Sequence, residues 1–508
     1  MNKNFYITTP IYYPSAKPHM GHAYTSIVAD FFARFKKIDG FDVHFLTGTD
    51  EHGLKIQRSA EKKNMNPKDF CDQISKTFED LTKVLNLSNT DFIRTTENRH
   101  INSVQNLWKI LEDNNQIYLS KYTGWYSVSD EAFYQEDEIK TIEGKKYATV
   151  SDSLVEWVEE ESFFFKLSEW EKPLLKFYNE NPNFILPESR KNEVVSFVKN
   201  GLKDLSVSRK TFSWGIKIPS NEEHIIYVWL DALTNYLSAL NFPNTKDNLY
   251  KNFWPADIHI IGKDILRFHA IYWPAFLMAA NLPLPKRVYG HGWILSGDEK
   301  MSKSKDNILD PLEIIEQYGL DSLRYYLLKE VSFGNDGNIS KEKLESCINS
   351  DLANNYGNLC QRVLAFCEKN CDLKVPSHEF NKDDLDVLIP FEDLNKIRNL
   401  IDNQNINEYM NFLIESLFTS NKYFNDQEPW KKKNDKIRLN TIVFTALELI
   451  RKISILLNPV IPETSLKVLK IFSIDEKNLN LDSLANHENL KEGISLNKIN
   501  ILFKKIEK

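Results

Sequence analysis

The sequence places two histidines three residues apart, His19 and His22, on either side of Gly21 and at the start of an amphipathic helical pattern. Such a pair could bind a metal, cap a helix for structural reasons, or handle phosphate. A zinc site needs at least one more ligand and usually a hydrogen-bonding partner behind each ligand, and nothing nearby in the sequence supplies them. Polar imidazoles at a helix start are rarely there for packing, so phosphate is the interpretation that has a mechanism.

A helix N-terminus is a natural anion site because its first N–H groups point outward and its dipole end is positive. Gly21 would let a phosphate or a flat base approach the backbone, since glycine has no Cβ. The imidazoles of His19 and His22 could donate hydrogen bonds to phosphate oxygens, most usefully when negative charge builds up in a transition state. The pattern therefore predicts phosphate chemistry.

A second candidate is the lysine-rich stretch KMSKS at residues 300–304, which contains Lys300 and Lys303. Gly297 and Asp298 precede it and predict a solvent-facing loop. Taken alone, a run of this kind is most often a solvated basic loop. Its possible role in phosphate binding depends on the histidine pair far upstream.

The elements around the histidine pair must position it. "NFYITTPIYY" is rich in β-branched and aromatic residues, which is typical of a buried strand. A helix then follows, in which Ala23, Ile27, Phe31 and Phe35 recur at every fourth position and predict a buried stripe. "FDVHFLTGTDEHG" predicts a second strand that ends in a polar loop.

A strand, a helix and a strand in succession predict a parallel sheet with a right-handed crossover. Ligands of such sheets bind beyond the carboxyl ends of the strands, where His19, His22 and Asp50 fall. Short aromatic segments and turns between residues 121 and 220 predict an insertion, after which the strand-then-helix pattern returns. Helical periodicity dominates after residue 340 and predicts a separate bundle.

The composition is that of an ordinary globular protein, with 42% hydrophobic residues, 27% charged residues and a formal net charge of -7. This net charge does not indicate nucleic-acid binding, although a local basic face would be enough to bind phosphate. The N-terminus lacks the apolar region of a secretory signal, and the most apolar stretch is interrupted by prolines. Five cysteines without a C-x-x-C pair predict a reducing, cytoplasmic location, and Cys360, Cys367 and Cys371 share a helical face as expected for buried cysteines.

The combination of the HxGH motif near the first strand with the distant KMSKS motif resembles the class I aminoacyl-tRNA synthetases. Longer stretches are similar to the methionyl-tRNA synthetases, and the resemblance runs from Phe5 to the C-terminal bundle. These stretches are "TTPIYYPSAKPHMGHAYT", "FLTGTDEHG", "VWLDALTNY", "GKDILRFHAIYWPAFL" and "GHGWILSGDEKMSKSKDN". The resemblance implies that ATP, with Mg²⁺ on its phosphates, activates L-methionine, and that the methionyl group then passes to the 3' end of tRNA.

The same resemblance implies an α/β Rossmann-type parallel-sheet catalytic domain with an inserted connective domain, followed by an all-α anticodon-binding bundle. The expected segments are the first catalytic half at 1–115, the insertion at 116–222, the second catalytic half at 223–290, a KMSKS linker domain at 291–342 and the bundle at 343–508.

The resemblance also assigns residues. Catalytic roles fall on His19, His22, Lys300 and Lys303, with the lysines neutralising pyrophosphate and the histidines stabilising the α-phosphate. ATP binding falls on Gly21, Gly262, Asp264 and Lys303, whereas Lys263 and His269 receive no definite role. The methionine pocket would comprise Ile11, Tyr13, Asp50 for the ammonium group, Trp229, Ala232, Leu233, Tyr236 and His291. Apolar and aromatic walls suit a flexible, polarisable thioether.

The helical part contains residues that match an anticodon site. Asn358 and Arg362 are four residues apart and share a helical face, and Trp430 stands beside three lysines. A stacking ring, an amide, a guanidinium and nearby ammonium groups form a coherent RNA-reading set. The family resemblance predicts the CAU anticodon of initiator and elongator methionine tRNAs as the target. The absence of an appended dimerisation domain predicts a monomer.

Two departures from the family pattern affect the expectations. Ser127 and Asp130 stand where zinc-bearing members have cysteines, and a second cysteine pair is absent, so we expect no structural zinc. Asp306 stands after the KMSKS motif where the family usually has glycine.

Alternative functions remain open from the sequence. A sister synthetase for leucine, isoleucine, valine or cysteine would share both motifs, but the long editing insertion of the first three and a cysteine-ligated zinc site are not visible. A non-catalytic tRNA-binding paralogue should have lost its histidines or loop lysines. A plain nucleotidyltransferase would not need a helical anticodon bundle.

Overall fold

The structure is a computed structural model that describes residues 3–15, 17–130, 132–296, 299–300, 310–487 and 489–507. These residues form two compact units. The sheet unit comprises residues 4–18 and 43–291. The helical unit comprises the described residues of 1–3, 19–42 and 292–508.

The strands of the described part are, in chain order, β1 (Lys3–Thr8), β2 (Phe41–Thr49), β3 (Asp91–Arg94), β4 (Ile117–Ser127), β5 (Ala132–Tyr134), β6 (Ile139–Ile142), β7 (Lys145–Ala148), β8 (Glu156–Phe165), β9 (Ile185–Leu186), β10 (Leu205–Ser206), β11 (Ser208–Arg209), β12 (Lys217–Ile218), β13 (Asn221–Ile226), β14 (Ile258–Gly262), β15 (Val288–His291), β16 (Ile294–Ser296), β17 (Glu299–Lys300) and β18 (Gly337–Ile339).

The α-helices of the described part are α1 (Met20–Ile38), α2 (Leu54–Lys62), α3 (Pro67–Val84), α4 (Asn98–Asp113), α5 (Glu171–Glu180), α6 (Glu188–Lys199), α7 (Val228–Leu233), α8 (Asn235–Ser238), α9 (Asn248–Phe253), α10 (Trp273–Ala279), α11 (Pro311–Tyr318), α12 (Leu320–Glu330), α13 (Lys341–Cys347), α14 (Asn358–Cys371), α15 (Lys382–Leu388), α16 (Leu394–Asp402), α17 (Ile406–Asp426), α18 (Lys436–Leu457) and α19 (Pro462–Leu469).

A six-stranded sheet forms the centre of the sheet unit, in the order β3-β2-β1-β14-β15-β9. β2 and β3 pair in parallel, as do β1 and β14, β14 and β15, and β15 and β9. The strand order reverses between β1 and β14, and ligands of open parallel sheets bind beyond the carboxyl ends of strands at such a reversal. The predicted parallel α/β sheet is confirmed.

Smaller sheets occupy the segment between β3 and β14. β4 and β8 form a long antiparallel pair in the sheet β10-β8-β4-β5, and β6 and β7 form a hairpin. β11, β13 and β12 form a further three-stranded sheet that leads directly into α7. The same segment also supplies β9, the edge strand of the parallel sheet.

The helical unit is built from α1 and from helices α11 to α19, with a small sheet of β17, β16 and β18. The predicted stripe of α1 is confirmed, because Ala23, Ile27, Phe31 and Phe35 are fully buried. The rings of Phe31 and Phe35 meet Tyr409 of α17 edge to face at 5.3 and 5.8 Å. Helices α11 to α19 confirm the helical C-terminal part that the sequence predicts.

A buried ion pair strengthens the contact between α1 and the other helices of this unit. Asp30, with no exposed surface, accepts from Arg34 Nε at 2.7 Å and pairs with Arg324 Nη2 at 2.7 Å. Arg324 also donates to the carbonyls of Val460 and Pro459, both at 3.0 Å. Apolar packing and the buried ion pair together place α1 in the helical unit.

None of the helices in the described ranges has the length and apolarity needed to cross a bilayer.

Candidate functional site

The histidine pair forms a reciprocal cap at the start of α1. His19 is the N-cap residue, and its Nδ1 accepts from the backbone N–H of Gly21 at 3.1 Å. The Nδ1 of His22 accepts in turn from the backbone N–H of His19 at 3.0 Å. The two rings lie 3.8 Å apart between centroids.

This geometry decides which imidazole nitrogens carry protons. Each Nδ1 accepts a backbone hydrogen bond, so in the neutral ring the proton sits on Nε2, which is a donor. Burial, followed by the charge of His19, holds the pKa of His22 well below its ordinary value, so His22 is neutral at physiological pH. The pair therefore presents two Nε2–H donors at a helix N-terminus.

The histidines do have the structural capping role that the sequence analysis did not favour. His19 and His22 cap α1, and the N–H of Gly21 is bound to His19 rather than turned outward for an anion. The expectation of open backbone donors at this helix start was wrong in that respect. The capping bonds go to Nδ1 of each ring and hold both rings in place.

The carboxyl end of β2 lies beside the segment that follows β1. The backbone N–H of Tyr12 donates to Gly48 at 2.8 Å, and that of Asp50 donates to Tyr12 at 2.9 Å. The hydroxyl of Tyr13 donates to the carbonyl of His52 at 2.9 Å. Two predicted pocket residues, Tyr13 and Asp50, are thereby brought to the same edge of the sheet.

Glu51, next to Asp50, holds this edge in place and received no role from the sequence. Its carboxylate pairs with Arg94 at 2.6 Å and accepts from the hydroxyls of Ser75 at 2.5 Å and Thr96 at 2.6 Å. Burial alone would raise the pKa of Glu51, but these partners outweigh burial and hold the pKa below its ordinary value. The loop that carries Asp50 is consequently fixed by a buried, ionised neighbour.

The predicted pocket wall lies on α7, on α8 and in the segment that follows β1. The core of the sheet unit contains Leu233 and Tyr236, and it packs against Ile11, Tyr13 and Trp229. Ala232, the residue before Leu233, is also buried. The ring of Trp229 stacks on Phe268 at 3.6 Å with an angle of 6° between the planes. Phe268 had not been identified from the sequence.

Tyr236 is the polar residue of this wall. Its hydroxyl lies 2.7 Å from Nε2 of His269, whose Nδ1 lies 3.0 Å from the carbonyl of Ile265. The carbonyl can only accept, so Nδ1 carries the proton and Tyr236 donates to Nε2. Burial lowers the pKa of His269 to about 4, which keeps the ring neutral. The structure thus gives His269, left without a definite role by the sequence, a direct contact to the pocket.

Three further predicted residues lie together at the ends of β14 and β15. Gly262 is the register partner of His291. A Cβ on Gly262 would lie 2.6 Å from Oδ1 of Asp264 and 4.0 Å from Cε1 of His291. A side chain at position 262 would therefore displace the exposed carboxylate of Asp264.

The structure describes only the start of the lysine-rich loop. Lys300 belongs to β17, where its backbone pairs with Leu295 of β16, and its side chain lies outside the described residues. Lys303 and Asp306 also lie outside them.

Two of the predicted anticodon residues, Arg362 and Trp430, contact one phenylalanine of the helical unit, Phe424. Arg362 of α14 lies over the ring of Phe424 at 5.7 Å and donates to Asn425 at 2.6 Å. Trp430, 41% exposed, meets the same ring at 6.4 Å. Asn358 lies one helical turn before Arg362 on α14 and is half-buried. The structure brings the guanidinium and the exposed indole to one place, with two α17 residues that the sequence argument missed.

The position of the missing zinc ligands is filled by a hydroxyl cluster. Asp130 accepts from Tyr134 at 2.7 Å, from Ser153 at 2.6 Å and from Ser151, and its backbone N–H donates to Ser127. A carboxylate whose oxygens accept from three hydroxyls does not fit zinc, which needs thiolate or imidazole ligands here. Within the described ranges, no group of three or more His, Cys, Asp or Glu side chains is arranged to hold a metal ion.

Comparisons with known proteins agree over the whole chain. The family model described as tRNA synthetases class I (M) matches residues 5–364, and the model of the anticodon binding domain of methionyl tRNA ligase matches residues 392–508. A methionine–tRNA ligase of Rickettsia felis is 47% identical over 100% of this chain and 99% of that protein. One of Brucella suis is 48% identical over 93% of this chain and 92% of that protein. The solved Mycobacterium tuberculosis methionyl-tRNA synthetase in complex with methionyl-adenylate is 42% identical, has a TM-score of 0.96 and covers 99% of both chains.

Proposed function

Since the chain belongs to the class I methionyl-tRNA synthetases and is thus a methionine–tRNA ligase, we propose that it works in two steps at the residues described above. In the first step the carboxylate of L-methionine attacks the α-phosphorus of ATP, which forms methionyl-adenylate and releases pyrophosphate. In the second step the methionyl group passes to the terminal adenosine of tRNA, and AMP leaves. The solved relative that holds methionyl-adenylate supports this intermediate.

The observation that carries the proposal is the composition of the sheet edge in the sheet unit. Asp50, 7% exposed, supplies a carboxylate for the substrate ammonium group, and the apolar wall ends in the Tyr236–His269 hydrogen bond. The apolar and aromatic wall suits the flexible, polarisable thioether of methionine, and the Tyr236–His269 hydrogen bond fixes the tyrosine ring in that wall.

For the adenylation step we assign the charge that develops on the phosphates to donors of the chain. The Nε2–H groups of His19 and His22 donate to the α-phosphate oxygens. Gly262 and Asp264 bind the ribose side of ATP. Lys300 and Lys303 neutralise the pyrophosphate. Magnesium arrives on the phosphates as part of the nucleotide and adds positive charge there. No covalent bond to the enzyme forms, and catalysis rests on positioning and electrostatics.

For the tRNA step we assign anticodon reading to Arg362, Asn358 and Trp430. An exposed indole can stack on a base, while the guanidinium and the amide hydrogen-bond to base edges. The target is the CAU anticodon of the initiator and elongator methionine tRNAs. We also propose that the chain acts as a monomer in the cytosol, a location that its five free thiols favour.

The test is pyrophosphate exchange with the full chain. Purified protein should exchange labelled pyrophosphate into ATP in the presence of methionine, with kcat/KM at least about 100-fold larger than for leucine, isoleucine, valine or cysteine. Exchange that depends equally on one of these four amino acids would replace the methionine assignment by that of a sister synthetase. No exchange with any amino acid would instead indicate a non-catalytic tRNA-binding protein.

A further inference from the structure

Asp231 is a buried carboxylate inside the pocket helix α7, between Trp229 and Ala232. It has no exposed surface, and each of its oxygens meets an imidazole at 2.7 Å. Oδ2 faces Nδ1 of His52, and Oδ1 faces Nε2 of His100. His100 is fully buried and His52 is 5% exposed. The His52–Asp231–His100 network is therefore almost entirely shielded from water.

The two histidines come from elements that carry other parts of the proposed pocket. His52 stands two residues after Asp50, and its carbonyl accepts from the hydroxyl of Tyr13 at 2.9 Å. His52 thus connects three parts of the proposed pocket. It belongs to the loop that carries Asp50, its carbonyl binds Tyr13, and its ring binds Asp231 of α7.

His100, near the start of α4, connects the network to α8. Its Nδ1 lies 3.0 Å from Oγ of Ser238, two residues after Tyr236. Oγ of Ser238 also donates to the carbonyl of Thr234 at 3.0 Å. The network consequently spans both pocket helices, α7 and α8, from the side opposite to solvent.

The carboxyl group of Asp231 is ionised in this setting. Burial by itself would raise its pKa, but the charge of His52 and the hydrogen bonds from both imidazoles outweigh burial and hold the pKa below its ordinary value. A buried carboxylate that loses one of two donors keeps its desolvation cost without compensation. The protein therefore resists any movement of the β2 loop away from α7.

We propose that His52, Asp231 and His100 are positioning residues for the amino acid, which fix the separation between Asp50 and the side-chain pocket of α7 and α8. This inference rests on the proposed function. Methionine must reach Asp50 with its ammonium group and the Tyr236 region with its sulfur at the same time. A network that fixes both ends contributes to affinity for the amino acid and contributes nothing to ATP directly.

The decisive experiment compares His52→Leu with His52→Asn in methionine-dependent pyrophosphate exchange. Leucine has no donor, whereas the asparagine amide nitrogen stands where Nδ1 of histidine stands. We expect His52→Leu to raise KM for methionine by about tenfold or more, the scale of a lost hydrogen bond to a charged group. KM for ATP should stay within about twofold of wild type, and His52→Asn should restore most of the methionine affinity.

A matched control is available in the same unit. His224 is also fully buried, and its polar partners are Ser208 at 3.1 Å and Glu161 at 3.6 Å. His224→Leu should leave KM for methionine unchanged. An unchanged KM for methionine in His52→Leu, or an equal rise for methionine and ATP, overturns the proposal. So does a failure of asparagine to restore affinity in a folded protein.

Ser238→Ala keeps the question decidable if the leucine variant does not fold, since it removes the partner of His100 and no pocket atom. The proposal then requires KM for methionine to rise at least about threefold, and an unchanged KM overturns it. Failure of the wild-type chain to exchange with methionine is a separate result, because it refutes the proposed function itself.

Discussion

Gly21 shows how closely the histidine pair is fitted to its helix. A Cβ at this position would lie 3.0 Å from Cε1 and 3.1 Å from Nδ1 of His19, so an added methyl group would press directly on the capping ring. The ring cannot turn away without losing its hydrogen bond from the Gly21 N–H. The glycine therefore keeps the imidazole of His19 in its capping orientation.

Gly21→Ala should accordingly lower kcat of methionine-dependent exchange by about tenfold or more, on the scale of a partly displaced transition-state donor. The helix should stay folded, because the preference of helices for alanine over glycine, about 1 kcal/mol, offsets a weakened cap of about the same size. Gly290→Ala serves as the control, since its added Cβ meets nothing closer than 3.4 Å. A Gly21→Ala enzyme with wild-type kcat and an intact circular dichroism spectrum would show that His19 is only a cap.

The residue types and their spacing predict phosphate chemistry at His19 and His22, and this stays a prediction. The capping geometry was not predictable, because it depends on the extended backbone of His19, with φ of -134° and ψ of 178°. The same limit applies to His269, whose contact with Tyr236 joins elements that are separate in the sequence.

At the scale of elements, α14 and α17 together build the proposed RNA-reading surface. The spacing of Asn358 and Arg362 predicted one helical face, which periodicity alone can give. The contribution of α17 could not be predicted from the sequence, because Phe424 and Asn425 contact Arg362 only through packing between helices that are distant in the sequence. Periodicity shows which face is shared and does not show which helix packs beside it.

Trp430→Ala should raise KM for tRNA in aminoacylation by about tenfold or more, since stacking of one base on an aromatic ring contributes about 1–3 kcal/mol. Pyrophosphate exchange, which needs no tRNA, should remain at the wild-type level. Trp430→Phe keeps an aromatic face and should retain most of the charging activity. Equal losses in exchange and charging would contradict an anticodon role for this surface.

At the scale of the whole molecule, the strand-then-helix pattern predicted the parallel sheet, and the periodicity of the last third predicted the helices. Two features needed long-range contacts. β9 has two residues, too few for any period, yet it pairs with β15 at the sheet edge. The helix α1 follows β1 in the sequence, but its buried side meets Tyr409 and Arg324 of the helical unit.

We propose above all that the imidazoles of α1 and the lysines of the KMSKS loop act on the same triphosphate. Groups that act as a unit on one transition state give losses that do not add, whereas groups at separate places give losses that do. Lys303→Ala alone should raise the barrier of methionine-dependent exchange by roughly 3 kcal/mol, the scale of a removed transition-state contact.

The most direct test is a double-mutant cycle of His22→Ala and Lys303→Ala, measured as the single-turnover rate of methionyl-adenylate formation. We predict that the doubly substituted enzyme loses less than the sum of the two single losses, by at least about 1 kcal/mol. Single losses that simply add, or a Lys303→Ala enzyme that forms the adenylate at the wild-type rate, would contradict the account.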